Sequence, residues 1–277
     1  MEQTQYLKKF DELLKTPNFT TADDEFYSRL DGLVGDLKDI IYNNTDDLRS
    51  KNGVNYYVSN DGNDDADGKS PQTAWKTLAK VNSYTFNAGD AVLLRRGDTW
   101  YENINAQNGV SYSAYGTGAK PRVFKAYNAM QGTWVLTDTP NIWRYEQTFD
   151  DTDIGNVVFN DGAFCGQRKF SVEDMTENLD FFISNQYAKV ADTENKLYLR
   201  CEAGNPQDVF SQIDISRAGS IILIAGDGHD IAVNNLELRY AQDIAFMQGG
   251  KNISFSYCVC GWTGGTVFDN EAKARYG

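Results

Sequence analysis

Two segments in the last third of the chain superimpose at a spacing of 22 residues. Asp230-Ile-Ala-Val-Asn-Asn-Leu-Glu-Leu-Arg-Tyr-Ala241 lies over Asn252-Ile-Ser-Phe-Ser-Tyr-Cys-Val-Cys-Gly-Trp-Thr263. Ile231 falls on Ile253, Val233 on Phe255, Leu236 on Cys258, Leu238 on Cys260 and Tyr240 on Trp262. The same offset carries Ile222 and Ile224 onto Ile244 and Phe246, and those onto Thr266 and Phe268. Within each unit the apolar parity shifts once, across Asn234-Asn235, as a strand, a tight corner and a second strand would require. Short strands at this period bury their inner side chains only against neighbouring copies, which predicts stacked coils. A leucine-rich repeat has a similar length, but its L-x-x-L-x-L-x-x-N signature is absent.

Of the stacked architectures a right-handed parallel β-helix fits best, and the fold class is read as mainly β. Before residue 53 the pattern is helical. Leu7, Phe10, Leu13 and Leu14 make one apolar face, and Pro17 ends it. Thr21 is placed to cap a second helix, along which Phe26, Leu30, Leu33, Val34, Leu37, Ile40, Ile41 and Leu48 keep a 3.6-residue period. The expected organisation is a helical hairpin over 1–52 and a β-helix over 53–277. Ser70 and Pro71 open a short helix presenting Trp75, Leu78 and Val81 on one face. A hairpin is expected about Asn160-Asp-Gly162. With 24 glycines and 31 Tyr and Phe residues against 5 prolines, tight turns between aromatic-rich strands suit the composition.

Tyr56-Tyr-Val-Ser-Asn-Asp-Gly62 is followed by Asp67-Gly-Lys-Ser-Pro-Gln-Thr-Ala-Trp-Lys-Thr-Leu78. Next come Asn87-Ala-Gly-Asp-Ala-Val-Leu-Leu-Arg-Arg-Gly-Asp-Thr-Trp100 and Ala114-Tyr-Gly-Thr-Gly-Ala-Lys-Pro121. Together these stretches resemble the entry to the secreted right-handed β-helix proteins of the pectate-lyase-like superfamily. Such stretches form the N-terminal cap and first coils. Gly155-Asn-Val-Val-Phe159 and Lys196-Leu-Tyr-Leu199 are similar to the inserted β-region of many bacterial members, expected here over about 130–210. The superfamily holds polysaccharide lyases, glycoside hydrolases, epimerases and non-catalytic adhesins, so fold alone does not assign chemistry. The resemblance implies a secreted or cell-surface protein acting on an extracellular polysaccharide. Its alternatives are a non-catalytic glycan-binding or assembly module, or an inactive fragment, since the chain stops at Gly277 partway into a coil where relatives continue.

With Ile231, Val233, Leu236 and Leu238 inward, Ala232, Glu237 and Arg239 face outward and Asp243 follows in the next turn. Lyases need a base for the proton alpha to a uronate carboxyl and a cation to neutralise that carboxylate. Arg239 as base with Glu237 and Asp243 as calcium ligands makes one such set. Hydrolysis needs two carboxylates flanking the glycosidic bond, a role open to Glu237 and Asp243. The bland alternative is a surface ion pair between Glu237 and Arg239. Asp61, Asn63, Asp65 and Asp67 alternate like the front of a calcium loop, but position 12 from Asn63 is Ala74, where a bidentate Glu belongs. A solvated polar turn is the competing reading. Tyr240 and Trp262 present either faces for sugar rings or a stacked ladder.

A net charge of −13 disfavours nucleic acid, whose phosphates call for a basic stripe, and makes an acidic polysaccharide dependent on a bound cation. No apolar run reaches the length of a membrane span. Cys258 and Cys260 share one side of a strand and read as core, while Cys165 and Cys201 are too isolated to complete a zinc site. His229 is the only histidine and sits in a turn, a poor basis for a catalytic triad. The start of the chain lacks the basic and apolar regions of a signal peptide.

Overall fold

The computed structural model of the chain describes residues 24–149, 154–184, 194–247, 249–264, 267–268 and 274–276. The first helix of the expected hairpin, the Thr21 cap and Thr266 lie outside them. Six short strands come first: β1 (Asn55–Val58), β2 (Ala91–Arg95), β3 (Thr99–Trp100), β4 (Ile104–Ala106), β5 (Ser111–Tyr115) and β6 (Arg122–Phe124). Eight more follow: β7 (Ala126–Asn128), β8 (Trp134–Leu136), β9 (Ile142–Tyr145), β10 (Val157–Phe159), β11 (Phe164–Cys165), β12 (Gln167–Lys169), β13 (Asp180–Ile183) and β14 (Leu197–Arg200). The repeat occupies β15 (Ile213–Ile224), β16 (His229–Asn234), β17 (Glu237–Met247), β18 (Lys251–Ser256) and β19 (Val259–Thr263). β20 (Val267–Phe268) and β21 (Ala274–Tyr276) pair with each other. The described chain is mainly β.

One sheet, ordered β1-β2-β5-β16-β18, is parallel throughout. A nine-stranded sheet is mixed: β17 pairs in parallel with β6, β15 and β19, whereas β7 and β10 join β15 antiparallel. The 22-residue spacing is the register of β16 with β18 and of β17 with β19. Ile231 sits beside Ile253, Val233 beside Phe255 and Leu238 beside Cys260. Left-handed backbone recurs at the same spacing. Asp230 and Asn252 have φ of 56° and 52°, Asn235 and Tyr257 57° and 50°, Tyr240 and Trp262 62° and 55°. Each unit thus turns at three residues rather than the single corner expected at Asn234-Asn235. Asp and Asn enter this region at modest cost, whereas Tyr and Trp enter it only where surrounding packing compels them.

The offset lengthens by one residue between β15 and β17. Ile222 pairs with Ala245, Leu223 with Phe246 and Ile224 with Met247, not Ile222 with Ile244 as the repeat predicts. The cause lies in the connection lengths: four residues join β15 to β16, and three join β17 to β18. A one-residue slip reverses the face a side chain occupies. Phe246, expected beside inward Ile224, instead stands with outward Leu223 and is 47% exposed.

Val58, Val92, Leu94, Tyr112, Ile222, Ile231, Val233, Leu236 and Leu238 fill one core between the ladders. Tyr56 stacks on Trp75 at 5.2 Å, with Phe86 edge-on to Tyr56, so the opening motif contributes an aromatic plug. The short helix expected from Ser70 is divided. Ser70 caps a 3-10 turn over Pro71–Thr73, and α2 (Leu78–Ser83) begins at a separate cap, Thr77. Trp75 interrupts it by bridging to β1, its N–H donating to the Tyr57 carbonyl. Residues between β7 and β15 gather a second core around Tyr145, Phe159, Phe181, Leu199 and Ile213, and β10 and β11 form the expected hairpin. Ahead of β1, α1 (Asp24–Asn43) leaves Val34 and Leu37 exposed. Among the described residues no helix is long and apolar enough to cross a membrane.

The segment after α1 straps the corner between β16 and β17. Asn234 Oδ1 accepts from Ser113 Oγ at 2.8 Å, and its amide donates to Ser256 Oγ at 3.0 Å, a polar row across three rungs. Asn235 Oδ1 accepts from Lys120 Nζ at 2.6 Å, while Asn235 Nδ2 donates to Asn44 and Asp47 at 2.9 and 2.8 Å. Asp47 also holds buried Arg96 in a 2.5 Å ion pair. Burial, and then the neighbouring Arg96, pull the Lys120 ammonium down to about 8. Asn235→Gly keeps the left-handed corner and loses the bonds, costing about 2 kcal/mol in urea unfolding. Asn235→Ala loses both and costs about 3 kcal/mol; equal losses would show that the corner geometry carries no energy of its own.

Candidate functional site

A cleft of about 560 Å³ opens on the outer side of β4, β15 and β17, lined by Asn103, Asn105, Lys125, Ser220, Gln242, Asp243 and Phe246 among others. Strand pairing builds it. Ile104, Ile222 and Ile224 point into the core, so Asn105 and Leu223 between and beside them point out. Register places Asn105 beside Leu223 and Leu223 beside Phe246, one row across three parallel strands. Three positions earlier on β15, Ser220 pairs with Asp243, and both line the cleft. The Lys125 ammonium lies 3.4 Å from Asn103 Oδ1. Gly219, at φ +87°, donates its N–H to Gln242 Oε1 at 3.1 Å, and a Cβ there would press within 3.3 Å of Lys125 Cε. Glycine therefore serves both the turn and the position of the lysine. The cleft joins one cation, one carboxylate, several amides and an aromatic face.

Asp243 is the single member of the expected catalytic set that reaches this cleft. Glu237 and Arg239 precede the left-handed corner at Tyr240 and belong to the ladder with β6 and β19. There they are covered by the Asn160–Gly162 turn of the hairpin. Arg239 NH2 lies 2.6 Å from Glu237 Oε1, and Arg239 NH1 donates to the Asp161 carbonyl at 3.2 Å. Arg122 spans from Glu237 at 3.3 Å to Asp161 at 3.2 Å. The Glu237 side chain is 6% exposed and that of Arg239 13%, so the pair is an ion pair but not a surface one. Burial draws the Arg239 guanidinium down, yet Glu237 first and Tyr240 next hold it above its ordinary value. A guanidinium so held keeps its proton, which opposes work as a base. Gly162 makes the covering turn possible, because a Cβ would meet Trp262 Nε1 at 2.7 Å.

In the acidic loop, Asn63 and Asp67 hold its own turns and Asp61 pairs outside it. Asp61 pairs with Arg95 at 2.8 Å, Asn63 Oδ1 accepts from Asp65 N at 3.0 Å, and Asp67 Oδ1 accepts from Lys69 N at 3.0 Å. Asp64, outside the alternating set, anchors the loop by accepting from Lys76 N, Thr77 N and Thr77 Oγ1. Burial pushes its carboxyl up, but these Thr77 and Lys76 bonds prevail and hold it below the usual range. Among the described residues, no group of three or more His, Cys, Asp or Glu is placed to hold a metal. Tyr240 is fully buried, edge-on to Phe124 at 4.8 Å, with Trp262 packed on the same cluster. It serves as packing rather than a sugar platform. Cys258 packs against the core, and Cys260, in register with Leu238, is exposed on β19. His229 is exposed and contacts Asp230 at 3.1 Å. Alternation about Ile104 would have marked Asn103 and Asn105; no motif marks Lys125, and Phe246 was hidden by the register slip.

No family model and no curated protein matches the chain. Solved structures do. The complex of XylC with xylose aligns over 68% of this chain and 35% of its own, at 16% identity and a TM-score of 0.52. The GH136 lacto-N-biosidase from Eubacterium ramulus aligns over 90% of this chain and 32% of its own, at 18% identity and a TM-score of 0.38. A structure described as a glycoside hydrolase aligns over 68% and 51%, at 12% identity and 0.45. The likeness to XylC is one of fold, and the chain spans about a third of that protein's length.

Arg239→Ala leaves the buried Glu237 with Arg122 alone and lowers stability by about 2–3 kcal/mol in urea unfolding. Arg239→Lys, retaining the charge, loses less. A stability unchanged in both would return Glu237 and Arg239 to the status of a surface pair.

Proposed function

We propose that the chain is a polysaccharide-processing protein, a glycan lyase or glycoside hydrolase, that takes an extracellular polysaccharide along the outer cleft of a right-handed parallel β-helix. The cleft itself carries this reading. Sugars present hydroxyls to amides and charged groups and C–H faces to aromatic rings, and Asn103, Asn105, Gln242, Asp243, Lys125 and Phe246 offer both. The 22-residue parallel register supports the β-helix, as does the fold likeness to XylC, a protein described in complex with xylose. Secretion or surface display is the compartment such a substrate demands.

Within that reading Lys125 and Asp243 are the groups placed to touch substrate. Asp243 is the one carboxylate among the described residues lining the cleft. That observation favours a second reading, a non-catalytic glycan-binding module, because hydrolysis needs two carboxylates about one bond. Incubation with neutral and acidic polysaccharides, with and without Ca²⁺, separates these. Unsaturated uronate absorbance marks a lyase, new reducing ends without it mark a hydrolase, and retention on immobilised polysaccharide without products marks a binding module. Phe246→Ala weakens retention roughly tenfold, and Asp243→Asn removes turnover where there is any. Absence of both products and retention across the panel overturns the proposal.

A further inference from the structure

β15 belongs to two structures at once. Its first residues pair antiparallel with the inserted region, Asp214 standing beside Val158 of β10 and Asn128 of β7. Its last residues pair in parallel with β4 and β17. Asp214 is fully buried at that junction. Its Oδ1 accepts from Tyr101 Oη at 2.9 Å and from Gln212 Nε2 at 2.9 Å, and its Oδ2 has no hydrogen-bond partner. The apolar surroundings are Phe124, Ala126, Val158 and Tyr240.

We propose that the Asp214 carboxyl is a pH-sensitive latch that fastens the inserted region to the parallel ladders when protonated and loosens that junction when ionised. An ionised carboxylate with a bare oxygen in such a setting is costly, whereas the protonated group is neutral. The titratable groups facing it are Tyr101 from the turn after β3, Tyr240 from β17 and Asp161 from the hairpin turn. Asp161 repels the ionised form, and the guanidinium on β17, Arg239, is engaged by Glu237 and Asp161. Burial first, with Asp161 adding, pushes the carboxyl up to about 6 against the pull of Gln212, Tyr101 and Tyr240. The folded value lies above the unfolded one, so the folded state holds the proton more tightly. The latch therefore contributes fully below about pH 4 and is lost as pH rises through about 6.

Hydrogen exchange on the full chain, corrected for intrinsic rates, tests this at about pH 5 and about pH 7.5. Amides of 157–159 and 213–216 should become roughly tenfold less protected at the higher pH relative to those of 231–233, the ratio that these two values give by linkage. Asp214→Asn should abolish the difference. Tyr101→Phe, which removes a donor to the carboxylate, should move its midpoint upward. Should Asp214→Asn fail to fold, the wild type and Tyr101→Phe still decide. Junction amides that track 231–233 at both pH values, a difference retained in Asp214→Asn, or a midpoint that Tyr101→Phe leaves unmoved across a pH series, overturn the latch.

Discussion

Three left-handed residues, five positions apart within each 22-residue unit, govern the repeat. Asp230, Asn235 and Tyr240, with their counterparts 22 residues later, bend each unit so that successive strands lie in register. Each such backbone costs on the order of 1–3 kcal/mol in a residue with a side chain. It persists because neighbouring rungs bury what the corner aims inward and supply hydrogen bonds for what it leaves polar. Asn235 illustrates the second half: its amide answers a buried lysine on one side and the strap after α1 on the other. The corners also decide which side chains meet water, and so where a cleft can form.

The segment between β7 and β15, with a core of its own, alters the outer surface that the ladders would otherwise present. Its hairpin turn lies over Glu237 and Arg239 and converts a strand-surface pair into a buried network with Arg122 and Asp161. Beyond the Tyr240 corner the same strand stays open, and Asp243 and Phe246 remain available. Two residues only four apart along β17 thus live in different chemical settings. A covering turn and an open groove, rather than a motif, separate covered charge from open charge.

Much of this architecture is legible in the residues. Ile231, Val233, Leu236 and Leu238 announce their inward register by alternation, and Asn160-Asp-Gly162 announces its hairpin by turn chemistry. The candidate site is less legible for a physical reason. Whether Glu237 is exposed depends on a turn some 75 residues away in sequence, and whether Phe246 faces outward depends on one extra residue in a remote connection. Neither Tyr240 nor Trp262 looks like a corner, because aromatic residues enter left-handed backbone through packing and not through propensity. Asp214 carries no local signal at all; its burial is made by three other elements.

The shared strand β15 also bears on how the chain assembles. Its parallel partner β4 lies over a hundred residues earlier, and closing so long a loop carries an entropic cost that grows with its length. The antiparallel pairings of β7 and β10 with the same strand shorten that search, because they deliver β15 to the edge of the first rungs. Viewed kinetically, the segment between β7 and β15 is a splint: once its own core has condensed, the remaining parallel pairing of β15 requires only a short closure.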